Sequence, residues 1–500
     1  MKKSVYQNAS AVTLLSVLKR ALGFLYRIFL SRLLGAEGIG LYQTAQSFFY
    51  VFATLGAGGI PVSVSRLICK NKAAGTEFRQ KNIVSAAITL GLIVTLPVCI
   101  GILLFGDSLT GYFGDGRVVK PMKILFIGLA FSSMYHTLRG FFWGNKQLLL
   151  PNVLELVEEC INVALGIFLL TTSSSLEDGV FKACLAVAVT DVSCFLIAFL
   201  CYTIKGGKLS SPTRELKPLF SSAAPITSVR VVSSIVNSAV AVILPAMLMK
   251  AGETQASAIG LFGVVSGMVL PILFTPMTVI GSLGFVLAPE LSENFYKKNF
   301  KTLALNIERG LLGGLVIACV LIPFFSVLGH NIGALTYSNA LAGELIANGA
   351  ILLLPMSLNM LSTTSLNSMG FEKQTFLFSF IGEVVMLLCV FFLPKFMGVY
   401  AYVVAIGLNF LFAGGLSLIF LFRRMSPSGS FWKNAILFIA PILPITLIGR
   451  LFFTVLEPYL SAFIVTLISA LFLIVLFVIY FVFVAIFTKK GFREVFLRKK

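Results

Sequence analysis

The stretch LKRALGFLYRIFLSRLLGAEGIGLYQ, residues 18–43, has the apolar content of a membrane helix, yet it carries Lys19, Arg20, Arg27 and Arg32. The surrounding sequence decides the first half of that reading. Of 500 residues, 58% are hydrophobic and only 12% charged, against about 25% charged in an ordinary soluble domain. Apolar segments of roughly 20–30 residues recur along the whole chain, long enough to cross a hydrocarbon core of about 30 Å as helices. They lack the alternation of barrel strands. The expected fold is therefore an all-α polytopic membrane protein with about fourteen transmembrane helices. Among them are helices at 10–34, 40–69 and 151–172. Lys2 and Lys3 before an apolar run resemble a signal peptide, but Lys19 and Arg20 interrupt that run, so a retained first helix is expected.

The net charge of +19 would point to nucleic acid in a soluble protein, but here it collects at helix ends, and no nucleic-acid partner is expected. Alternate connections are basic: Lys70, Lys72, Arg79 and Lys81; Arg139 and Lys146; Lys205, Lys208, Arg214 and Lys217; Lys297, Lys298 and Lys301; Arg423, Arg424 and Lys433. Those between them, GDSLTGYFGDG, TTSSSLEDG, GHNIGALTYSNALAG and LEPY, are poor in cations. Cationic short loops stay in the cytoplasm, so both termini are expected there. The basic tail KKGFREVFLRKK fits as a topology anchor or a contact to anionic lipid. The eight cysteines show neither metal spacing nor a disulfide framework and read as small buried hydrophobes.

A weak internal repeat is present. WGNKQLLLPNVLELVEECINVALGIFLL from 143 resembles MGFEKQTFLFSFIGEVVMLLCVFFL from 369, and GLYQ at 40 with PVSVS at 61 parallels GLFG at 260 with PELS at 289. Equivalent segments lie six helices apart. This predicts two six-helix lobes, 1–212 and 213–425, related by a pseudo-two-fold axis along the membrane normal, followed by two additional helices and the tail in 426–500.

Arg20 and Arg27 are seven residues apart on one helix, within about 20° of a common line and roughly 10.5 Å apart along the axis. A cation at mid-membrane costs about 2.5–3.5 kcal/mol on insertion scales and usually faces a bundle interior or wet cavity. Guanidinium groups suit phosphate or carboxylate, so Arg20, Arg27 and, from the other lobe, Arg230 are candidate ligands of an anionic substrate, with Gly23 leaving room beside them. Snorkelling or internal pairing is the alternative, and Lys19 and Arg32 read as interfacial. Asp191, Glu155 and Glu383 are candidates for ion coupling, to H⁺ or Na⁺, or for internal pairing. Glu155, Glu158 and Glu159 also fit the ordinary preference for acids near a helix start. Pro61, Pro225, Pro271, Pro276 and Pro289 are candidate kinks, and GAGG at 56–59 a close-packing site. No GxxxxGK[ST] loop, HExxH or large polar insert is present, so neither an enzyme nor a resident metal or cofactor is expected.

Arg20-Ala-Leu-Gly-Phe-Leu-Tyr-Arg27, Leu34-Gly-Ala-Glu-Gly-Ile-Gly-Leu-Tyr42, Gly59-Ile-Pro-Val-Ser-Val-Ser-Arg66 and Leu138-Arg-Gly-Phe-Phe-Trp-Gly-Asn-Lys-Gln147, with AAPITSVR at 223 and LAPELSE at 287, resemble the stage V sporulation protein B family of polysaccharide transporters. That family lies in the multidrug, oligosaccharidyl-lipid and polysaccharide exporter superfamily. The resemblance implies flipping or export of a polyprenyl-diphosphate-linked saccharide by alternating access, with lipid II, the peptidoglycan precursor, the favoured cargo. Related lipid II flippases carry Arg-x-Leu-Gly-Phe-x-Arg in helix one, to which Arg20 and Arg27 correspond with one extra residue before Arg27. They also tend to have an acid early in helix two and Arg in helices two and eight, where this chain reads GLYQTAQ and GLFGVVSG. A cation-coupled multidrug antiporter of the same superfamily is the runner-up. A membrane glycosyltransferase or ligase, or a scaffold for cell-wall synthesis proteins, is the reading from other classes.

Overall fold

The computed structural model describes residues 2–76, 79–147, 149–425 and 429–487; the basic tail lies outside them. The described residues form helices and turns without a strand. Packing divides the chain into two compact units, Met1–Gly263 and Val264–Lys500. The lobes expected from the repeat follow duplicated helices rather than compactness, and the segment 213–263 packs with the first unit.

The first unit opens with α1 (Lys2–Ala57), whose course is broken at Gly35, φ 65° and ψ −174°. That backbone region is essentially restricted to glycine. α1 thus has two arms, 2–34 and 36–57, matching the two helices expected there. The second arm stops at Gly58–Gly59 and α2 (Ile60–Ala73) begins with Pro61 in its first turn. The sequence reading ran one helix across 40–69. Pro61 has no N–H to continue the ladder but suits a helix start, which explains the break. α3 (Gln80–Phe105), α4 (Val119–Gly144), α5 (Leu149–Leu170), α6 (Leu176–Ile204), α7 (Thr213–Lys250) and α8 (Gln255–Gly263) follow.

Val64, Ile83, Leu138, Phe142, Ala198 and Tyr202 from α2, α3, α4 and α6 form a buried core. Close backbone contact sets α2 against α4. A Cβ on Gly140 would stand 2.5 Å from the Pro61 carbonyl oxygen and 2.7 Å from Pro61 Cα. Gly140→Ala is expected to cost about 1–3 kcal/mol by overpacking, read as a fall in melting temperature of the purified chain; an unchanged melt would show that α4 shifts freely. GLYQ and GLFG, paired by the repeat, touch within this unit: a Cβ on Gly263 would meet the Gly40 backbone, with Cα 2.8 Å away.

In the second unit α9 (Leu270–Tyr296), α10 (Phe300–Tyr337), α11 (Ala340–Gly349), α12 (Leu353–Ser368), α13 (Glu372–Phe392), α14 (Tyr400–Arg424), α15 (Gly429–Ile439), α16 (Ile442–Leu456) and α17 (Ala462–Phe487) follow a π-helical turn at Val264–Val269. Val327, Leu328, Ile445, Phe453, Leu473 and Phe477 bind α10, α16 and α17 together. GHNIGALTYSNALAG, read from sequence as an external connection, is a tight helical hairpin. Only Ser338 and Asn339 separate α10 from α11; Ser338 is left-handed at φ 53°, and the Asn339 side chain accepts from Ala342 N.

The repeat-matched turns share a helix stop. Lys146 (φ 59°) and Gly370 (φ 84°) are left-handed, and the next amides, Gln147 and Phe371, donate at 3.0 Å to Phe142 O and Leu366 O. This six-to-one bond satisfies end carbonyls in a Schellman arrangement.

Twelve helical stretches among the described residues are long and apolar enough to cross a membrane. The first, Leu14–Lys72, contains both arms of α1, so it accounts for two expected helices. α5 falls outside the twelve because Glu155, Glu158 and Glu159 interrupt its apolar run. Leu467, Leu471, Ile474, Val478 and Val482 leave one side of α17 exposed and apolar, a surface suited to lipid. The chain is a multi-pass membrane protein. All eight cysteines are free, and Cys99, Cys184, Cys194, Cys319 and Cys389 are buried as expected; Cys69 and Cys160 are instead exposed and Cys201 is intermediate.

A charged cavity in the first unit

α1, α2, α4, α5, α6 and α7 line a half-open cavity of about 590 Å³ within the first unit. Its wall carries the cations Lys19, Arg139 and Arg230 and the carboxylates Glu158, Glu159 and Asp191. Such charge within membrane helices marks a wet or ligand-filled space rather than lipid contact.

Glu155 organises the cations. Lys19 Nζ donates to Glu155 Oε2 at 3.1 Å, and Arg139 Nη2 donates to Glu155 Oε1. The Arg139 guanidinium also lies 3.2 Å from His136 Nδ1 and 5.3 Å from the Trp143 ring centroid. One carboxylate therefore ties the first arm of α1 to α4 through α5. Gly23 faces the same helix: a Cβ there would stand 2.9 Å from Glu159 Oε1, so the room it leaves is taken by that carboxyl group.

Arg230 serves the break between α1 and α2. Its Nη1 donates at 2.8 Å to the Gly58 carbonyl, while Gly59 N donates at 3.0 Å to Thr227 Oγ1. Glycines at 58–59 allow this approach, because a Cβ on Gly59 would stand 2.8 Å from Thr227 Oγ1. The backbone opened by Pro61 is thus satisfied by α7.

Of the residues singled out from sequence, the cavity brings together Arg230 and Asp191, with Glu155 holding two of its cations. Arg20 and Arg27 lie on exposed positions of α1 and are not among its lining residues. Glu383 lies in α13 of the second unit. Lys19 lines the cavity instead of marking an interface, and Arg139 sits on α4 inside it rather than in a connection. Glu158, read from sequence as fitting a helix-start preference, also lines the cavity, and sequence reasoning passed over Asn162, whose four-residue spacing puts it on the same face of α5. No group of three His, Cys, Asp or Glu side chains suited to a metal occurs among the described residues.

These features define a polytopic helical membrane protein with a charged internal cavity. The chain belongs to the polysaccharide biosynthesis protein family, whose pattern matches residues 5–295. Stage V sporulation protein B of Bacillus subtilis (strain 168) is 23% identical over 341 residues, covering 65% of this chain and 66% of that protein. Lipid II flippase MurJ of the same organism is 23% identical over 409 residues, covering 75% of this chain and 74% of the relative. A solved structure of lipid II flippase MurJ in an inward closed conformation superposes with a TM-score of 0.77 at 13% identity, covering 96% of this chain and 98% of that one. An inward-facing multidrug resistance MATE family transporter gives 0.69 at 16% identity, covering 83% and 96%. Both share the fold.

Proposed function

We propose that this chain is a flippase of the multidrug, oligosaccharidyl-lipid and polysaccharide exporter superfamily, moving a polyprenyl-diphosphate-linked saccharide, with lipid II the favoured cargo. One observation carries the reading: a cavity wall bearing Lys19, Arg139 and Arg230, two of them held by a single internal carboxylate. A diphosphate offers oxygen pairs like those Glu155 supplies, and guanidinium groups bind them through forked, charge-assisted bonds. In this reading the diphosphate displaces Glu155, while Arg20 and Arg27 on the exposed positions of α1 meet the headgroup as it arrives. Gly23 lets α1 approach the Glu159 carboxyl group closely beside them. The polyprenyl tail stays in lipid. The six-helix lobes 1–212 and 213–425 exchange access, with both termini cytoplasmic. The role is transport rather than catalysis.

The carboxylates Glu158, Glu159 and Asp191 in the same wall favour a second reading, antiport of organic cations. Transbilayer movement of labelled lipid II in proteoliposomes separates the two. Wild type is expected to move lipid II, with Arg139→Ala slower by at least about tenfold, the worth of one lost charge-assisted contact. The Arg20→Ala/Arg27→Ala variant is expected to be slowed as well. Movement of an organic cation with none of lipid II, in correctly folded protein, would select the second reading.

A further inference from the structure

A second recess opens where the α2–α3, α4–α5 and α6–α7 connections of the first unit meet. It holds about 430 Å³, and its wall carries Lys72 at the end of α2, Gln80 and Lys81 at the start of α3, Gln147 before α5, and Lys205 and Lys208 after α6. Topology makes such connections basic, but it does not bring two of them together over one recess. Among the described residues no carboxylate lies in this wall, and none of the four lysines is ion-paired. The segments that bear them are held in place. Gly206 is left-handed at φ 79°, and Gly207 N donates at 2.9 Å to Tyr202 O, the same helix stop as at Gln147. Tyr202 Oη donates at 2.9 Å to Lys208 O, and Ser210 N donates at 2.8 Å to Ser85 Oγ on α3. The Phe141 and Tyr202 rings meet edge to face with centroids 4.8 Å apart.

Lys72 and Lys205 stand at helix C-terminal ends, where a cation also offsets the macrodipole. Lys81 does the opposite. It occupies the first turn of α3, which has no acidic residue and no side-chain cap, so it adds charge to the positive end of a helix. Gln147 Oε1 is buried without a hydrogen-bond partner. Cations gathered without counter-charge beside an uncapped helix start, with an orphaned amide among them, fit an occupant that is both anionic and a hydroxyl donor. We infer that this recess binds the phosphate group of an anionic lipid headgroup, with a headgroup hydroxyl meeting Gln147. A tetrahedral phosphate presents oxygens toward lysines arriving from separate connections, and Lys binds it as a point charge; a planar carboxylate offers only two. The lipid source follows from Ile204 and Leu209, which flank Lys205 and Lys208 in sequence and are exposed and apolar, as suits a rim at the bilayer surface. This wall shares no residue with the charged cavity.

The test is a thermal melt of the purified full chain in uncharged detergent micelles titrated with phosphatidylglycerol or with phosphatidylcholine. Phosphatidylglycerol is expected to raise the melting temperature saturably by mass action, and phosphatidylcholine to give no such gain. Lys205→Gln/Lys208→Gln is expected to move the midpoint of that titration at least about tenfold higher, at roughly fivefold per lysine beside an anionic headgroup. Arg214→Gln/Lys217→Gln removes equal charge from exposed positions of α7 outside the recess, and its midpoint is expected to stay within about twofold of wild type. Lys81→Gln is expected to raise the melting temperature in phosphatidylcholine by relieving the helix start, and yet to weaken the phosphatidylglycerol titration. Sodium phosphate replacing sodium chloride at constant ionic strength separates the sources: a gain equal to that from phosphatidylglycerol, lost in the same variants, would keep the phosphate site and overturn its assignment to lipid. No saturable gain, an equal gain from phosphatidylcholine, or an equal loss in the α7 control would overturn the proposal. Every variant keeps Lys19, Arg139 and Arg230, so binding at this recess and movement of lipid II succeed or fail separately.

Discussion

Glu155→Ala is expected to lower folding stability by about 3 kcal/mol. The substitution leaves Lys19 and Arg139, both partly buried, facing the cavity without their shared counter-charge. The estimate sits at the lower end of the range for a broken buried pair because Glu155 retains 22% side-chain exposure. Thermal or denaturant melts of the purified chain measure it. A loss under about 1 kcal/mol would class the network with surface ion pairs. The double variant Glu155→Ala/Arg139→Met should recover part of the loss, since residues in one charge network are not additive. Inorganic pyrophosphate should restore stability to Glu155→Ala more than to wild type, where Glu155 competes for the same cations. Equal effects in the two proteins would contradict the displacement step of the flippase reading.

Gly333→Leu in the second unit is expected to be at least as damaging, above about 3 kcal/mol. At the α10–α11 hairpin a Cβ on Gly333 would collide with the Gly343 backbone, and one on Gly329 would stand 2.6 Å from Ala347 N. The atoms in the way are backbone, so no rotamer change relieves them. Gly329 and Gly333 form a small-xxx-small pair set against Gly343 and Ala347, which lets the helices approach closely. Gly415 on α14 has nothing within 4 Å of a built Cβ, so Gly415→Leu is the matched control. Folded yield and melting temperature of the two variants decide the matter; equal tolerance would mean that the hairpin opens without cost.

Hydropathy made the helical membrane fold legible because its signal is summed over some twenty residues per span, so single errors cancel. The α10–α11 hairpin was hidden by the same averaging. Glycine, asparagine and alanine read as loop composition, whereas in GHNIG and GELIA the small residues are contact points between helices. Gly35 and Pro61 could be seen as breakers, but whether a glycine bends a helix or packs it depends on what stands opposite. The cavity was legible only in part. Asp191 and Arg230 stood out as charges deep in apolar helices. Lys19 and Arg139 were credited to interfaces and basic connections because charge near a span end is normally explained by topology. Their shared partner Glu155 lies 136 and 16 residues away in sequence. Such pairing belongs to the packing of α1, α4 and α5, and no local pattern announces it.

Gly35 gives α1 a mechanical meaning. The arm from this residue to Lys19 is a lever about 24 Å long. A swing of about 10° at its pivot carries the lysine end through about 4 Å. The ion pair closing that end spans 3.1 Å, so a small angular change at one glycine is enough to part Lys19 from Glu155. The cavity's charge balance is thereby geared to the pitch of a single helix.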